Sequence, residues 1–191
     1  MPDVSVIIPV YNIKTLLPRC VASLQAQTWQ DFEVWLVDDG STDGSGPLCD
    51  ELAAKDARIH VLHKENGGQG SARDLGLDYA QGEYICYVDS DDEVLPNLLE
   101  DAFRAAREAD ADIVCYGYYK QFLDGEGNAQ QRSGPNLPAL SGAYTYEEFW
   151  QSFRKAKYES VPWVRMCRRD YLQKYNIRFT SLRVGEDAYF L

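Results

Sequence analysis

A doubly wound α/β domain built on a mostly parallel, twisted sheet is the fold class this sequence predicts, and three observations predict it. Short apolar runs rich in β-branched and aromatic residues alternate with amphipathic stretches from the N-terminus onward, which is the order of a parallel sheet covered by helices on both faces. Two of the runs, Val34-Trp35-Leu36-Val37 and Tyr84-Ile85-Cys86-Tyr87-Val88, have no polar face, as strands buried on both sides do. Both runs end in acid, at Asp38-Asp39-Gly40 and at Asp89-Ser90-Asp91-Asp92. Parallel strands gather their carboxyl ends along one edge, so both acidic turns are expected to face one crevice.

The elements follow in order. Val4 to Pro9 reads as the first strand, closed by its proline. Thr15 to Gln27 reads as a helix that collects Leu16, Leu17, Cys20, Val21 and Leu24 on one face. Phe32 to Asp38 and Ile59 to His63 are strands, separated by a helix over Gly46 to Lys55. A helix over Ser71 to Ala80 leads to the strand Tyr84 to Asp89. Pro96 suits the first turn of a helix running to Ala109, because its missing N–H is unpaired there anyway. Ile113 to Tyr119 is the last strand expected before the texture changes. Asp124-Gly125-Glu126-Gly127-Asn128 and Ser133-Gly134-Pro135-Asn136 then punctuate a polar stretch with turn residues, as a hairpin or flap would. Helices are expected over Glu147 to Lys155 and Arg169 to Tyr175. The sequence stops at Gly185-Glu186-Asp187-Ala188-Tyr189-Phe190-Leu191, inside what reads as a further helix, so the expectation is a single domain whose C-terminal part is incomplete.

With 191 residues, 45% hydrophobic and 26% charged, the chain has the composition of an ordinary globular protein. Its formal charge of −11 argues against nucleic acid or an anionic membrane surface as partner, since both need clustered Lys and Arg. A polyanionic substrate would need a cation brought with it. The widely spaced Cys20, Cys49, Cys86, Cys115 and Cys167 form no metal-binding pattern and are expected to be reduced. His60 and His63 flank a strand with no acid or cysteine at ligand spacing and are expected to be structural. No basic leader precedes the apolar start, and no run approaches the roughly 18 apolar residues of a spanning helix.

Three more segments join the acidic turns: Pro9-Val10-Tyr11-Asn12, Asn66-Gly67-Gly68-Gln69-Gly70-Ser71-Ala72-Arg73, and Gly185-Glu186-Asp187. The glycine-rich one lacks both the P-loop and the dinucleotide fingerprints. Taken in order from Val4 to Leu191, the five motifs closely resemble those of the family 2 glycosyltransferases, inverting enzymes of the GT-A fold.

That resemblance implies a division into a nucleotide-binding half, 1–119, and an acceptor-side half, 120–191. Pro9, Tyr11 and Asn12 would contact the base and ribose, with the Tyr11 ring as a flat surface for a pyrimidine. Asp39 would accept the uracil N3–H, a suitable partner for a carboxylate. Gly68 would let the backbone pass close to the nucleotide, and Arg73 would reach toward it. Asp89 and Ser90 would lie against the ribose or a metal-bound water, while Asp91 would hold Mg²⁺ or Mn²⁺, hard cations that suit oxygen ligands and diphosphate. Asp187 would be the general base toward the acceptor hydroxyl, beside Glu186, with Trp163 and Arg165 in the acceptor region. The expected donor is a UDP-sugar and the expected acceptor a glycan or lipid-linked hydroxyl. The location implied is cytoplasmic, with membrane contact only through a further C-terminal segment.

Other classes share the sheet. A nucleotide-sugar-binding module without turnover would carry the same donor motifs. A metal-dependent nucleotidyltransferase usually has an early glycine-rich, basic loop, which Pro9 to Arg19 does not contain.

Overall fold

The computed structural model describes residues 1–124, 129–136, 142–143, 145, 147–148 and 164–179. The chain divides into two compact units, Met1–Val114 with Ser160–Leu191, and Cys115–Glu159.

The first unit alternates strand and helix: β1 (Val4–Val10), α1 (Leu17–Gln25), β2 (Phe32–Asp38), α2 (Ser45–Ala53), β3 (Ile59–His63), α3 (Gln69–Tyr79), β4 (Tyr84–Tyr87), α4 (Leu98–Glu108) and β5 (Ile113–Cys115). Within the second unit, β6 (Gln121–Leu123) and β7 (Ala129–Arg132) form an antiparallel hairpin. β8 (Arg165–Arg168) and α5 (Arg169–Lys174) belong to the first unit. Its sheet runs in the order β3-β2-β1-β4-β8-β5. β1 pairs in parallel with both β2 and β4, and β2 in parallel with β3, whereas β8 runs antiparallel to β4. Four parallel strands with β8 reversed beside them make the sheet mixed but mostly parallel.

Period-two alternation sorts the strand residues onto two covered faces. On one face Ile7, Trp35, Val37, Ile85, Tyr87 and Cys167 pack with Ala72 and Leu77 of α3 and with Leu172 of α5. On the other, Tyr84 meets Phe103 of α4 edge-on at 5.9 Å between ring centroids. α4 buries Leu99, Ala102, Phe103 and Ala106, the spacing of a single helix face, and carries Glu100 and Asp101 in its first turn and Arg107 in its last, matching the helix dipole. All five cysteines are thiols, as expected.

The order of strands reverses between β1 and β4, because successive elements move to β2 and β3 on one side and to β4 on the other. Such a switch point opens a crevice at the carboxyl ends. Here the opening has a covalent cause. The β1–β4 ladder includes Tyr84 N–H to Asp3 C=O at 3.0 Å and Val88 N–H to Ile7 C=O at 3.1 Å. Its next rung would need an N–H from Pro9 to the Val88 carbonyl, and proline has none. On the β2 side β1 runs on, with Pro9 opposite Val37 and the Asp39 N–H donated to Val10 C=O at 2.9 Å. The sequence expectation that Pro9 closes β1 is thus corrected: the strand continues to Val10, and the proline ends only its pairing with β4.

The opposite edge of the sheet is locked by a buried polar cluster. Ser5 Oγ donates to Glu33 Oε1 at 2.6 Å and accepts the Gly82 N–H at 2.7 Å, while the Gln81 N–H reaches the same Glu33 oxygen at 2.7 Å. A Cβ on Gly82 would lie 2.5 Å from the Ser5 backbone nitrogen. No side chain fits there without moving β1 from the turn into β4. Gly82→Ala is expected to destabilise the protein by about 3 kcal/mol, at the upper end of overpacking costs, as a lower urea midpoint at unchanged slope.

Candidate functional site

The site is built from the turns that follow β1, β2 and β4 and from the loop that leads into α3. The turns after β1 and β2 are stitched by hydrogen bonds. Asn12 N–H donates to Ser41 Oγ at 3.1 Å, Ile13 N–H to Ser45 Oγ at 2.9 Å, Lys14 N–H to Asp43 Oδ2 at 3.1 Å, and Thr42 N–H to Asn12 Oδ1 at 2.8 Å. Asn12 holds φ +50°, a left-handed conformation that Asn tolerates better than most residues. Tyr11, between the stitches, leaves half of its surface exposed at 52%. Asn12 is thus a fastener and Tyr11 the exposed ring beside it. Pro9 is buried.

Asp39 is 2% exposed, and its carboxylate collects three donors: Lys64 Nζ at 2.5 Å and Gly67 N–H at 2.9 Å on Oδ1, and Gly68 N–H at 2.8 Å on Oδ2. Asn66 adds a side-chain N–H to the Asp39 carbonyl at 3.0 Å. Gly68 holds φ +90° with open space where a side chain would stand, so the loop turns into α3 with its N–H groups aimed at the acid. Lys64 was not singled out in the sequence, because it lies before the glycine-rich segment and nothing local marks it.

Asp38 faces the other way. Burial disfavours its charge, but hydrogen bonds from Ser41 and His63 outweigh that and hold its carboxyl below the usual range. His63 Nδ1 lies 3.0 Å from Asp38 Oδ2 and Nε2 lies 3.1 Å from Asp50 Oδ1. The sequence reading found no acid near His63; the fold supplies two, from β2 and α2. Hydrogen bonds to Asp38 first, then Asp50, raise the His63 pKa.

The third turn carries Asp89, half-buried Ser90, and exposed Asp91 and Asp92. Asp89, Asp91 and Asp92 each offer a carboxylate oxygen, all within 4.8 Å of one another. Burial of the Asp92 carboxyl group, and then the charges of Asp91 and Asp89, push it up to about 6, although the residue as a whole is exposed. Such mutual repulsion is relieved by a hard divalent cation, so this donor set fits Mg²⁺ or Mn²⁺. Asp92 closes the acidic motif, and nothing local in the sequence marks it as a ligand.

Arg73 lies beneath this turn instead of reaching into the crevice. It is fully buried, with Nη2 donating to Asp89 Oδ1 at 2.7 Å and its guanidinium 5.1 Å from the centre of the Phe179 ring. Arg165 is also buried, in β8. Trp163, Glu186 and Asp187 lie outside the described residues.

This mixed, mostly parallel sheet with covering helices is the fold of the GT-A glycosyltransferases. The S. aureus TarS 1-349 crystal structure in complex with UDP-GlcNAc superposes with a TM-score of 0.75 at 25% identity, over 98% of this chain and 52% of that one. Glycosyltransferase GlyG of Streptococcus pneumoniae is 45% identical over 126 residues, 65% of this chain and 42% of its own length. The uncharacterized glycosyltransferase EpsJ of Bacillus subtilis is 35% identical over 194 residues, 100% of this chain and 55% of its own. This chain therefore spans about half the length of these relatives. The glycosyl transferase family 2 profile matches residues 5–175, and the chain belongs to that family.

Two outcomes follow. Because His63 is raised above its unfolded value of about 6.5, its contribution to stability is complete below that pH and falls as pH rises through the folded value; the Asp38 contribution is complete above about 3.9 and falls as pH drops through its lowered value. An NMR titration of the His63 ring should give a midpoint above 6.5, and Asp50→Asn should move it down. Mn²⁺ should raise Tm more at pH 7.5 than at pH 5, because protonated Asp92 competes with the ion below about 6.

Proposed function

We propose that the chain carries the donor site of an inverting glycosyltransferase that passes a sugar from a UDP-sugar to an acceptor hydroxyl. One observation carries this reading: Asp39 and the Asp89/Asp91/Asp92 turn stand on either side of the gap where β1 and β4 part. An ionised carboxylate has about four acceptor positions, and Asp39 uses three on the loop, leaving one for the imide N–H of uracil. The exposed Tyr11 ring offers the base a flat face. GlyG and EpsJ are named glycosyltransferases, and TarS was crystallised with a nucleotide sugar, which supports the donor class.

Among the described residues, Lys64 and Arg73 each stand beside one of the two turns and are engaged with Asp39 and Asp89. A bound Mg²⁺ or Mn²⁺ would supply Lewis-acid stabilisation of the charge on a diphosphate leaving group, typically worth several kcal/mol. Asp89, Asp91 and Asp92 would hold that ion, with Ser90 toward the ribose side. The acceptor hydroxyl needs a base as it attacks the anomeric carbon, and the family resemblance gives that role to Asp187, with Glu186 and Trp163 on the acceptor side. In this reading 1–119 is the nucleotide half and 120–191 the acceptor half of one domain. The acceptor is a glycan or lipid-linked hydroxyl in cell-surface polysaccharide synthesis, at a cytoplasmic location. No helix among the described residues is long and apolar enough to cross a membrane.

Calorimetric titration with UDP, with and without Mn²⁺, tests the donor site. Wild type should bind UDP more tightly with the ion, Asp91→Ala should abolish that enhancement, and Asp39→Ala should weaken UDP about tenfold or more in both conditions, the scale of one charge-assisted hydrogen bond. No detectable binding by folded wild type would sink the reading. Binding without sugar transfer to any hydroxyl acceptor would turn it into a binding module.

A further inference from the structure

The glycine-rich loop opens α3, and the first turn of that helix does something the motif does not announce. Gln69 is its first residue and Arg73 stands four further on, so the two side chains share one helix face. Both point at the same atom. Gln69 Nε2 donates to Asp89 Oδ1 at 3.0 Å and Arg73 Nη2 donates to it at 2.7 Å. Two donors converging on one carboxylate oxygen from one side oppose rotation about the Cβ–Cγ bond and fix the plane of the group. Arg73 is fully buried and cannot shift without disturbing Phe179 and the core beneath. Gln69 is exposed, so its amide contributes direction without structural burden.

We infer that Gln69 is a positioning residue for Asp89: its side-chain amide, with Arg73, sets the carboxylate plane that the Asp89/Asp91/Asp92 turn presents to a divalent cation. The inference rests on the donor-site reading above, since it concerns the cation of that site. It also explains how the two acidic turns are joined. The Gly67 and Gly68 N–H groups are held by Asp39, and the next residue in the chain holds Asp89. A single step along the backbone carries the contact from the base-side acid to the metal-side acid.

The bland alternative is that Gln69 is a solvated first-turn residue whose contact with Asp89 has no effect. Mn²⁺ titration followed by the EPR signal of the free ion, run with and without UDP, separates the two. Wild type is compared with Gln69→Leu, which keeps the volume and removes the amide, and with Gln69→Ala, which removes both. Outer partners of metal ligands typically cost 10–100-fold in affinity when lost. With Arg73 still in place, both variants should bind Mn²⁺ about tenfold more weakly. Their affinity for UDP without metal and their Tm should match wild type, which a merely structural role would not allow. Unchanged Mn²⁺ affinity in both variants would overturn the inference and leave the donor site standing. An equal loss of metal-free UDP affinity would also overturn it, because the side chain would then be supporting the loop and not Asp89. A wild type that binds neither Mn²⁺ nor UDP would overturn the inference together with the donor reading.

Discussion

One nearly buried carboxylate organises the ligand edge of this protein. The Asp39 backbone N–H continues the ladder to β1, and its side chain gathers the end of β3 through Lys64 and the entry to α3 through Gly67 and Gly68. A buried acid costs free energy unless it is paired and hydrogen-bonded, and here both conditions are met. Removing the acid would leave an ammonium and two backbone donors without their acceptor. The loop would then have no reason to hold the shape that brings α3 against Asp89. The acid proposed to meet a nucleobase is thus also the one that holds the loop into α3 in place.

The fold was legible in the sequence where side-chain pattern decides structure. β2 and β3 begin and end as expected, and α1 to α5 differ from expectation by a turn or less, since burial of one face fixes them, while the helix expected over Glu147 to Lys155 lies largely outside the described residues. β4 stops at Tyr87, before the acidic turn, and β5 ends at Cys115 well short of Tyr119. β8 was missed. Its four residues, Arg165–Arg168, set only Met166 and Cys167 between two arginines, a run too short and too polar to stand out, and its antiparallel pairing with β4 is a matter of tertiary contact.

The candidate site was legible as a set of acids and glycines but not as a set of partnerships. Asp39 lies just past the end of β2, Asp89 and Asp91 follow β4, and Gly68 stands at the entry to α3. What the motifs did not convey is who holds whom: Lys64 on Asp39, His63 between Asp38 and Asp50, and Gln69 with Arg73 on Asp89. These pairs join residues 13 to 25 positions apart through the folded sheet, and no local rule encodes them. Arg73 shows the cost of reading a residue by its motif alone. A guanidinium beside a nucleotide motif suggests a ligand contact, yet burial makes this one a foundation stone for an acid.

The missing N–H of Pro9 has a bearing on how such a crevice is kept through evolution and through thermal motion. Neighbouring parallel strands tend to extend their pairing, and a cleft between them that relied on loop shape alone could zip shut whenever the loops relaxed. A ring closed onto the backbone nitrogen removes that option in every conformation, bound or empty. The mouth is therefore a property of the covalent chain, present before any ligand arrives, and ligand binding need spend nothing on prising the strands apart.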